Sequence, residues 1–191
     1  MQYHACHMSK SCLVANIVCF FVLALLSLSA TAQPANSPEQ IPACRRFVQD
    51  FYSWYVPFTQ KPTNGPAFNL ALRNKAEVFS PELLRALKLD SEAQARAKGE
   101  IDGIDFDPLV GGLDPADHYT VRQVTVKGDR CFAEVWRDSP TDTTEKSRKP
   151  DAVAELAQRA GHWEFVNFHY PEVSRRLAEY LDRLHKQRGQ R

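Results

Sequence analysis

The sequence has almost no excess charge of either sign. It contains 24 lysine and arginine residues against 23 aspartate and glutamate residues. Proteins that bind nucleic acid or anionic lipid by long-range attraction usually carry a clear basic excess. The composition therefore predicts that nucleic acid is not a partner of this protein.

The motifs of the common enzyme classes are also missing. The chain has no glycine-rich phosphate loop, no Gly-x-Ser-x-Gly turn around a nucleophilic serine and no Cys-x-x-Cys pair. No pair of histidines has zinc-ligand spacing backed by a cluster of cysteines. We therefore predict no metal and no cofactor, assign no catalytic residue, and favour a protein that is not an enzyme.

Only one long hydrophobic run is present, and it lies close to the first residue. It extends over 16 residues from Leu13 to Leu28, follows a single basic residue and precedes the small residues Ala30 and Ala32. This order is typical of a secretory signal peptide, whereas a membrane-spanning helix needs about 20 residues. We predict a signal peptide over residues 1–32, export to the periplasm, and no stable membrane span after cleavage. An uncleaved membrane anchor is the alternative.

The remainder of the chain has the length of one domain. Removing the 32 signal residues from the 191 of the chain leaves 159, enough to bury a core. Residues 33–41 are polar and contain prolines, so we predict a disordered lead-in there. A single domain should follow over residues 42–187, with a basic tail at residues 188–191.

Cysteine is scarce after the signal peptide, where only Cys44 and Cys131 remain. In an oxidising compartment these two residues can form a disulfide, which would stabilise the fold by about 4 kcal/mol on the chain-entropy account. Two buried, unpaired thiols are the alternative. The sequence does not decide between the two.

Hydrophobic periodicity predicts three helices in the first half of the domain. The first should begin at Pro42, which suits a first helical turn, and should be stopped by Pro57. Apolar residues from Phe68 to Phe79 mark the second. Ser80, which precedes a proline, is the predicted N-cap of the third.

The periodicity changes after a loop over residues 99–117, which contains two Asp-Pro steps. The alternation switches parity between Val121 and Val124, which predicts a strand with one β-bulge. Three more strands follow, and the last, over residues 163–170, should lie centrally because it carries aromatic residues on both faces. A closing amphipathic helix is predicted over residues 173–184. The order predicts an α+β fold with N-terminal helices packed on one face of a curved antiparallel sheet.

Four motifs occur in order along this domain: Phe51-Tyr52-x-Trp54-Tyr55, Ser80-Pro81-Glu82-Leu83, Asp105-Phe106-Asp107-Pro108 and Asn167-Phe168-His169-Tyr170-Pro171. Together they resemble the YbjP/YqhG family of bacterial envelope proteins. The resemblance implies an NTF2-like fold, in which helices and a bent sheet form a cone around a pocket. It transfers no catalytic residue, since the family is largely a domain of unknown function. Some members are lipoproteins, whereas this chain lacks a lipidation motif.

Aromatic and acidic residues supply the candidates for a ligand pocket. Aromatic side chains with polar groups can line an apolar site, although a domain of this size needs the same residues for its core. The loop over residues 99–117 contains five aspartates, and we call it the Asp-rich loop. A histidine and the carboxylates of this loop would add acid/base groups if the loop folds over the end of the sheet. The candidate pocket residues are Trp54, Tyr55, Asp105, Asp107, Trp136, Trp163, Phe165, His169 and Tyr170.

The Asp-rich loop also has a metal interpretation. Calcium requires oxygen ligands, which this loop offers at Asp102, Asp105, Asp107, Asp114 and Asp117, but their spacing is not that of an EF-hand. The interpretation that we favour is that Asp107 and Asp114 cap turns ahead of their prolines while the others face water. His118 and His169 could form an acid/base pair with Asp105 or Asp107, although nothing in the sequence brings them together.

Three functional hypotheses follow. The first is a periplasmic accessory or binding domain for a small apolar ligand or an envelope protein. The second is a hydrolase or isomerase that uses a pocket acid/base such as His169 or Asp105, and it depends on fold analogy alone. The third is an immunity or inhibitor protein against an envelope-targeted toxin. The sequence does not indicate the oligomeric state.

Overall fold

The first described helix begins at Gln40, two residues before its predicted start at Pro42. The computed structural model describes residues 39–61, 65–97, 102–138 and 149–190. The predicted signal peptide and most of the predicted lead-in lie outside these residues. In the described ranges the helices are α1 (Gln40–Thr59), α2 (Phe68–Asn74), α3 (Pro81–Arg96) and α4 (Leu177–Arg188), with a 3-10 turn at Ala76–Val78.

An antiparallel sheet of five strands follows the first three helices. The strands are β1 (Tyr119–Lys127), β2 (Arg130–Arg137), β3 (Ala152–Arg159), β4 (His162–Tyr170) and β5 (Arg175–Arg176). They lie in the order of the chain, each hydrogen-bonded to the next. The protein is therefore an α+β domain, as predicted.

The first helix, α1, buries one face. Its buried residues recur every three or four positions, as an amphipathic helix requires: Cys44, Val48, Phe51, Tyr52, Tyr55 and Val56. The prediction that Pro57 stops this helix is wrong, because Pro57 lies inside it and the helix continues to Thr59. A proline removes only one N–H donor, and the burial of Tyr55 and Val56 holds the surrounding turn in place.

The start of α3 is confirmed in detail. The N–H of Leu83 donates to Ser80 Oγ at 3.2 Å, and Pro81 occupies the first helical position. The N–H of Ser80 donates to the carbonyl of Phe165 at 2.8 Å, so the cap also joins α3 to the sheet. The predicted second helix is shorter than expected: it ends at Asn74, where Lys75 leaves helical geometry, and a 3-10 turn then leads to Phe79, which is extended and pairs with Phe165.

The predicted β-bulge in β1 is confirmed. Val121 pairs with Val135 and Val124 pairs with Ala133, so the register shifts between the two pairs. The shift lets apolar residues on both sides of the bulge face the same buried layer, since side chains otherwise alternate between the faces of a strand.

The prediction that β4 lies centrally is wrong. The middle strand is β3, and β4 has only the two-residue β5 beyond it. The helices α3 and α4 and the 3-10 turn contact β4. A register shift in the β3–β4 pairing puts Phe165 opposite Leu156 and Phe168 opposite Ala154, so these aromatic residues share one buried face instead of two.

The layer between the helices and the sheet is filled with side chains. Phe165 and Phe168 are fully buried, with ring centroids 5.2 Å apart, and the Phe51 ring lies 4.9 Å from that of Phe165. A disulfide between Cys44 and Cys131 joins α1 to β2 through this layer. Space for a ligand must therefore be sought at the edge of the domain and not in its centre.

The last helix, α4, is capped from the sheet. Asn167 Oδ1, on β4, accepts the N–H of Ala178 at 2.9 Å, and Asn167 Nδ2 donates to Glu179 Oε2 at 3.2 Å. The helix extends to Arg188, so this residue belongs to α4 and not to a tail.

The turn between β3 and β4 offers a test of backbone strain. Ala160 and Gly161 both have positive φ, 48° and 82°, in a two-residue hairpin loop. A side chain at positive φ costs about 1–2 kcal/mol. We expect Ala160→Gly to raise the free energy of unfolding by about 0.5–1 kcal/mol, measured by urea denaturation.

Gly161→Ala is the matched control for that substitution. An added Cβ at this position would meet no atom within 4 Å, so any cost comes from φ alone. We expect a loss of about 1 kcal/mol or more. A loss of stability in Ala160→Gly would contradict the inference that the backbone is strained at Ala160.

Candidate ligand-binding site

Three tyrosine hydroxyls hold one stretch of the Asp-rich loop. Tyr55 Oη donates to Asp107 Oδ2 at 2.5 Å, and Tyr170 Oη donates to the carbonyl of Pro108 at 2.7 Å. Tyr52 Oη donates to the carbonyl of Leu109. Two of these tyrosines lie on α1 and the third on β4, so a helix and a strand together fix the loop.

Asp107 closes a tight turn within this loop. Its Oδ1 accepts the N–H of Leu109 at 2.9 Å, and its backbone carbonyl accepts the N–H of Gly111 at 2.9 Å. Gly111 has a φ of 75°, and a Cβ there would lie 2.5 Å from the carbonyl oxygen of Asp151. Only glycine fits this position. The prediction that Asp107 caps a turn ahead of its proline agrees with this geometry.

Beside this turn lies a cleft of about 370 Å³, which we call the Asp107 cleft. Its volume is at the lower end of the range for small-molecule sites. Two carboxylates and two other polar side chains face it among apolar walls. The lining residues are Thr59, Pro66, Ala67, Phe68, Gln94, Ile104, Asp105, Phe106, Asp107, Leu113 and Pro115.

A smaller cleft of about 230 Å³ shares Asp105, Phe106 and Leu113 with the Asp107 cleft. Tyr170 lines this second cleft, with its ring centroid 5.2 Å from that of Phe106. Leu113 lines both clefts and is 74% exposed. A large apolar side chain is therefore left uncovered at the rim of the Asp107 cleft.

Burial raises the pKa of Asp107 from its usual value near 3.8 to about 6. The hydrogen bonds from Tyr55 and from the N–H of Leu109 lower it, but by less than burial raises it. Burial and the neighbouring Asp107 carboxylate also raise the pKa of Tyr55, so its hydroxyl remains a donor at neutral pH.

The raised pKa of Asp107 makes stability depend on pH. A carboxyl whose pKa is higher in the folded chain favours folding below about pH 4, and this contribution is lost as pH rises through about 6. We expect the free energy of unfolding of Asp107→Asn, relative to that of the parent, to rise by about 1–3 kcal/mol between about pH 4 and about pH 7.5, since one pKa unit corresponds to about 1.4 kcal/mol. At every pH the variant also lacks one of the two acceptors that bind Tyr55 and the N–H of Leu109. Urea denaturation across this pH range measures the difference. Parallel curves for the two proteins would contradict the raised pKa.

A buried ion pair holds one wall of the cleft in place. Asp90, on α3, is 2% exposed, and its Oδ1 lies 2.5 Å from Arg188 Nη2 on α4. Asp90 Oδ2 accepts the N–H of Ile104 at 3.1 Å, and Arg188 also donates to the carbonyl of Asp102. Ile104 is a lining residue, so this pair positions one wall of the site.

No family model, curated protein or solved structure matches the chain. In the part of the chain that the structure describes, no helix is long and apolar enough to cross a membrane. The resemblance to the YbjP/YqhG family stays a prediction.

Four of the predicted pocket residues meet around the loop: Tyr55, Asp105, Asp107 and Tyr170. Trp54 lies on the same helix but packs against Phe58 and lies beneath the Lys75 ammonium. Trp163 is 7% exposed and packs in the core with Phe165. Trp136 alternates with the buried residues of β2 and therefore lies on the opposite face of the sheet, where Arg122 stacks on it at 4.8 Å.

The structure places His169 outside the cleft. Its Nε2 lies 2.7 Å from Glu155 Oε2, on the sheet face opposite α1. Arg176 Nη2 donates to the same oxygen at 3.0 Å, and Arg130 lies 3.4 Å from Glu155 Oε1. Sequence reasoning missed Glu155, although a single carboxylate inside the apolar run of β3 was a usable signal.

The other acidic and histidine candidates do not lie together in one site. Asp117 and His118 line a separate cleft beside α1, while Asp105 is exposed in the Asp107 cleft. Among the described residues no group of three or more His, Cys, Asp or Glu could hold a metal ion. The acid/base pairing of these histidines with Asp105 or Asp107, which the sequence allowed but did not favour, is not seen among the described residues: His169 contacts Glu155 instead.

Proposed function

We propose that this chain is an exported, non-enzymatic binding domain of the bacterial cell envelope, with its ligand in the Asp107 cleft. The observation that carries the proposal is the cleft itself, a concave site with apolar walls beside a half-buried carboxylate. The filled centre of the domain leaves the clefts at its edge as the places for a ligand. The export signal in the sequence supports a periplasmic location.

The fold proposed for this function is the NTF2-like cone of the YbjP/YqhG family. Three observations support it. Helices precede the sheet, the strands form a meander with a bulge in the first strand, and a loop of acidic residues closes one end. The interior pocket that this fold implies is filled with side chains, so we place the ligand site at the edge of the sheet.

A second candidate function is an isomerase or hydrolase that uses Asp107 as a general base. The raised pKa of Asp107 favours it, because a base is most effective when its pKa lies near the working pH. Against it, no histidine, cysteine, serine or lysine is among the described residues that line the cleft. The other acid/base groups near Asp107 are Asp105, which is exposed, and the Tyr55 hydroxyl, which already donates to Asp107, so the binding function is the better proposal.

Mass spectrometry of the exported protein under native conditions tests the binding function. We expect the N-terminus to begin at Gln33 and a small molecule to accompany the folded protein and to leave on unfolding. Ala67→Phe adds a ring to the lining of the cleft and should abolish the adduct. The control Glu92→Gln changes an exposed residue of α3 and should keep it.

Two results would overturn this proposal. One is an adduct that survives in Ala67→Phe, since the ligand would then lie elsewhere. The other is the absence of any adduct together with an unchanged NMR spectrum of the cleft residues on addition of a fragment mixture. Turnover that Asp107→Asn abolishes, with a pH profile inflecting near 6, would instead favour the enzymatic candidate.

A further inference from the structure

The charges in the Asp107 cleft are all of one sign. Asp105 and Asp107 face the cleft, and none of its described lining residues is Lys, Arg or His. A concave, partly dehydrated site with charges of one sign attracts ligands of the opposite sign. The cleft therefore selects against anions.

The charge of Asp107 is not balanced within the protein. Its two hydrogen-bond donors, the Tyr55 hydroxyl and the N–H of Leu109, are both neutral. The nearby cation Arg137 is paired with Asp151, its Nε lying 2.5 Å from Asp151 Oδ1. Among the described residues, no salt bridge involves Asp107. A half-buried carboxylate without a cation is unfavourable. A cationic ligand would supply the positive charge that the protein itself does not place beside Asp107.

The cleft also offers apolar walls. The rings of Phe68 and Phe106 and the side chains of Ile104 and Leu113 line these walls. Leu113, 74% exposed, would be covered by an apolar group in the cleft. An ammonium group carries three N–H donors and could use both carboxylates together.

We propose that the ligand of the Asp107 cleft is a small organic cation, a primary ammonium or guanidinium group on an apolar body. The charged group binds the Asp105 and Asp107 carboxylates, and the apolar body lies against Phe68, Ile104 and Leu113. This inference rests on the proposed binding function and specifies its ligand class.

The affinity for such a cation depends on the ionisation of Asp107. Below about pH 6 the carboxyl is protonated and attracts a cation less, so the affinity should rise with pH. Burial raises the pKa of each tyrosine near the loop, so these hydroxyls stay neutral over this range. The groups that face Asp107 are Tyr52, Tyr55, Tyr119 and Tyr170, the Arg137–Asp151 pair and Asp105.

Calorimetric titration with three probes of one carbon skeleton tests the ligand class. The probes are n-hexylamine, 1-hexanol and hexanoate, added to the exported protein at about pH 8 and about pH 5. We expect hexylamine to bind about tenfold tighter than hexanol at the higher pH, which corresponds to about 1.4 kcal/mol of binding free energy. This preference should shrink at the lower pH, and hexanoate should not bind.

Asp107→Asn and Asp117→Asn are the matched variants. We expect Asp107→Asn to lower the affinity for hexylamine about tenfold and to leave hexanol unchanged. Asp117 is an exposed carboxylate of the same loop that lines a different cleft, so Asp117→Asn should bind hexylamine as the parent does. A thermal melt of each variant checks that it is folded.

The outcomes separate this inference from the proposed function. Equal binding of hexylamine and hexanol would overturn the cationic class and leave the binding function intact. Preferential binding of hexanoate, or an equal loss in Asp117→Asn, would also overturn it. If no probe binds but the native adduct is found, the ligand belongs to another class and the cationic class is overturned. If neither probe binding nor an adduct is found, the binding function itself is rejected.

Discussion

Replacing Arg188 by methionine should lower the free energy of unfolding by about 3–5 kcal/mol. Arg188 pairs with Asp90, which is 2% exposed, and the substitution would leave a buried carboxylate without its cation. Breaking a buried pair from one side costs this much because the remaining charge is not solvated. Urea denaturation of the exported protein measures the change.

Lys186→Met is the matched control on the same helix. Lys186 Nζ lies 2.6 Å from Asp182 Oδ2, but both side chains are more than half exposed. Such a pair contributes at most about 1 kcal/mol. Similar losses in Lys186→Met and Arg188→Met would contradict the assignment of the Asp90–Arg188 pair as a buried one.

The double variant Arg188→Met with Asp90→Asn separates charge from packing. Asparagine removes the unbalanced charge and still provides an acceptor for the N–H of Ile104, which Asp90 binds at 3.1 Å. We expect the double variant to recover at least about 1 kcal/mol relative to Arg188→Met alone. Additive losses would mean that the two residues do not act as a pair.

Loss of the disulfide is the other change with a large expected effect. Replacing Cys44 and Cys131 together by alanine should lower the free energy of unfolding by about 2–5 kcal/mol. The bond joins residues 87 positions apart, so it removes many conformations from the unfolded chain. Both cysteines are fully buried, and their Cα atoms are 6.7 Å apart, within the range of natural disulfides.

Reductant gives the control for this prediction. Dithiothreitol should lower the stability of the parent protein towards that of the double variant and should leave the double variant unchanged. Alkylation of the denatured, unreduced protein should modify neither Cys44 nor Cys131. If both thiols react, the cysteines are unpaired and the alternative of two buried thiols is correct.

The sequence predicted local features of the helices and strands better than it predicted how these elements pack against one another. The Ser80 cap and the bulge between Val121 and Val124 depend on residues close together in the chain, and both predictions are confirmed. The position of β4 was predicted wrongly, because the strict alternation assumed for it places Phe165 and Phe168 on opposite faces, whereas a register shift between them puts both on one face. The effect of Pro57 depends on burial of the turn around it, which the local sequence does not show.

The candidate site could be predicted only in part. The acidic loop, Tyr55 and Tyr170 were identified from the sequence, but Tyr52 was not, and the bonds of these tyrosines to the loop join residues far apart in the chain. His169 was assigned to the wrong surface, because its partner Glu155 is on a different strand. Gln94 and Leu113 carry no motif and are recognised only when the cleft brings them together.

The two ends of α1 are held by bonds of different kinds. Cys44, in its first turns, is tied covalently to the sheet, whereas Tyr55, about 16 Å further along, is held by a hydrogen bond to Asp107. Parts of a protein that lack strong tertiary bonds open locally, at a smaller free energy than global unfolding. Amide hydrogen exchange should therefore become slower along α1 from Thr59 towards Val48. Ligand entry beside Tyr55 would draw on this local opening while the covalently tied part of the helix remains closed.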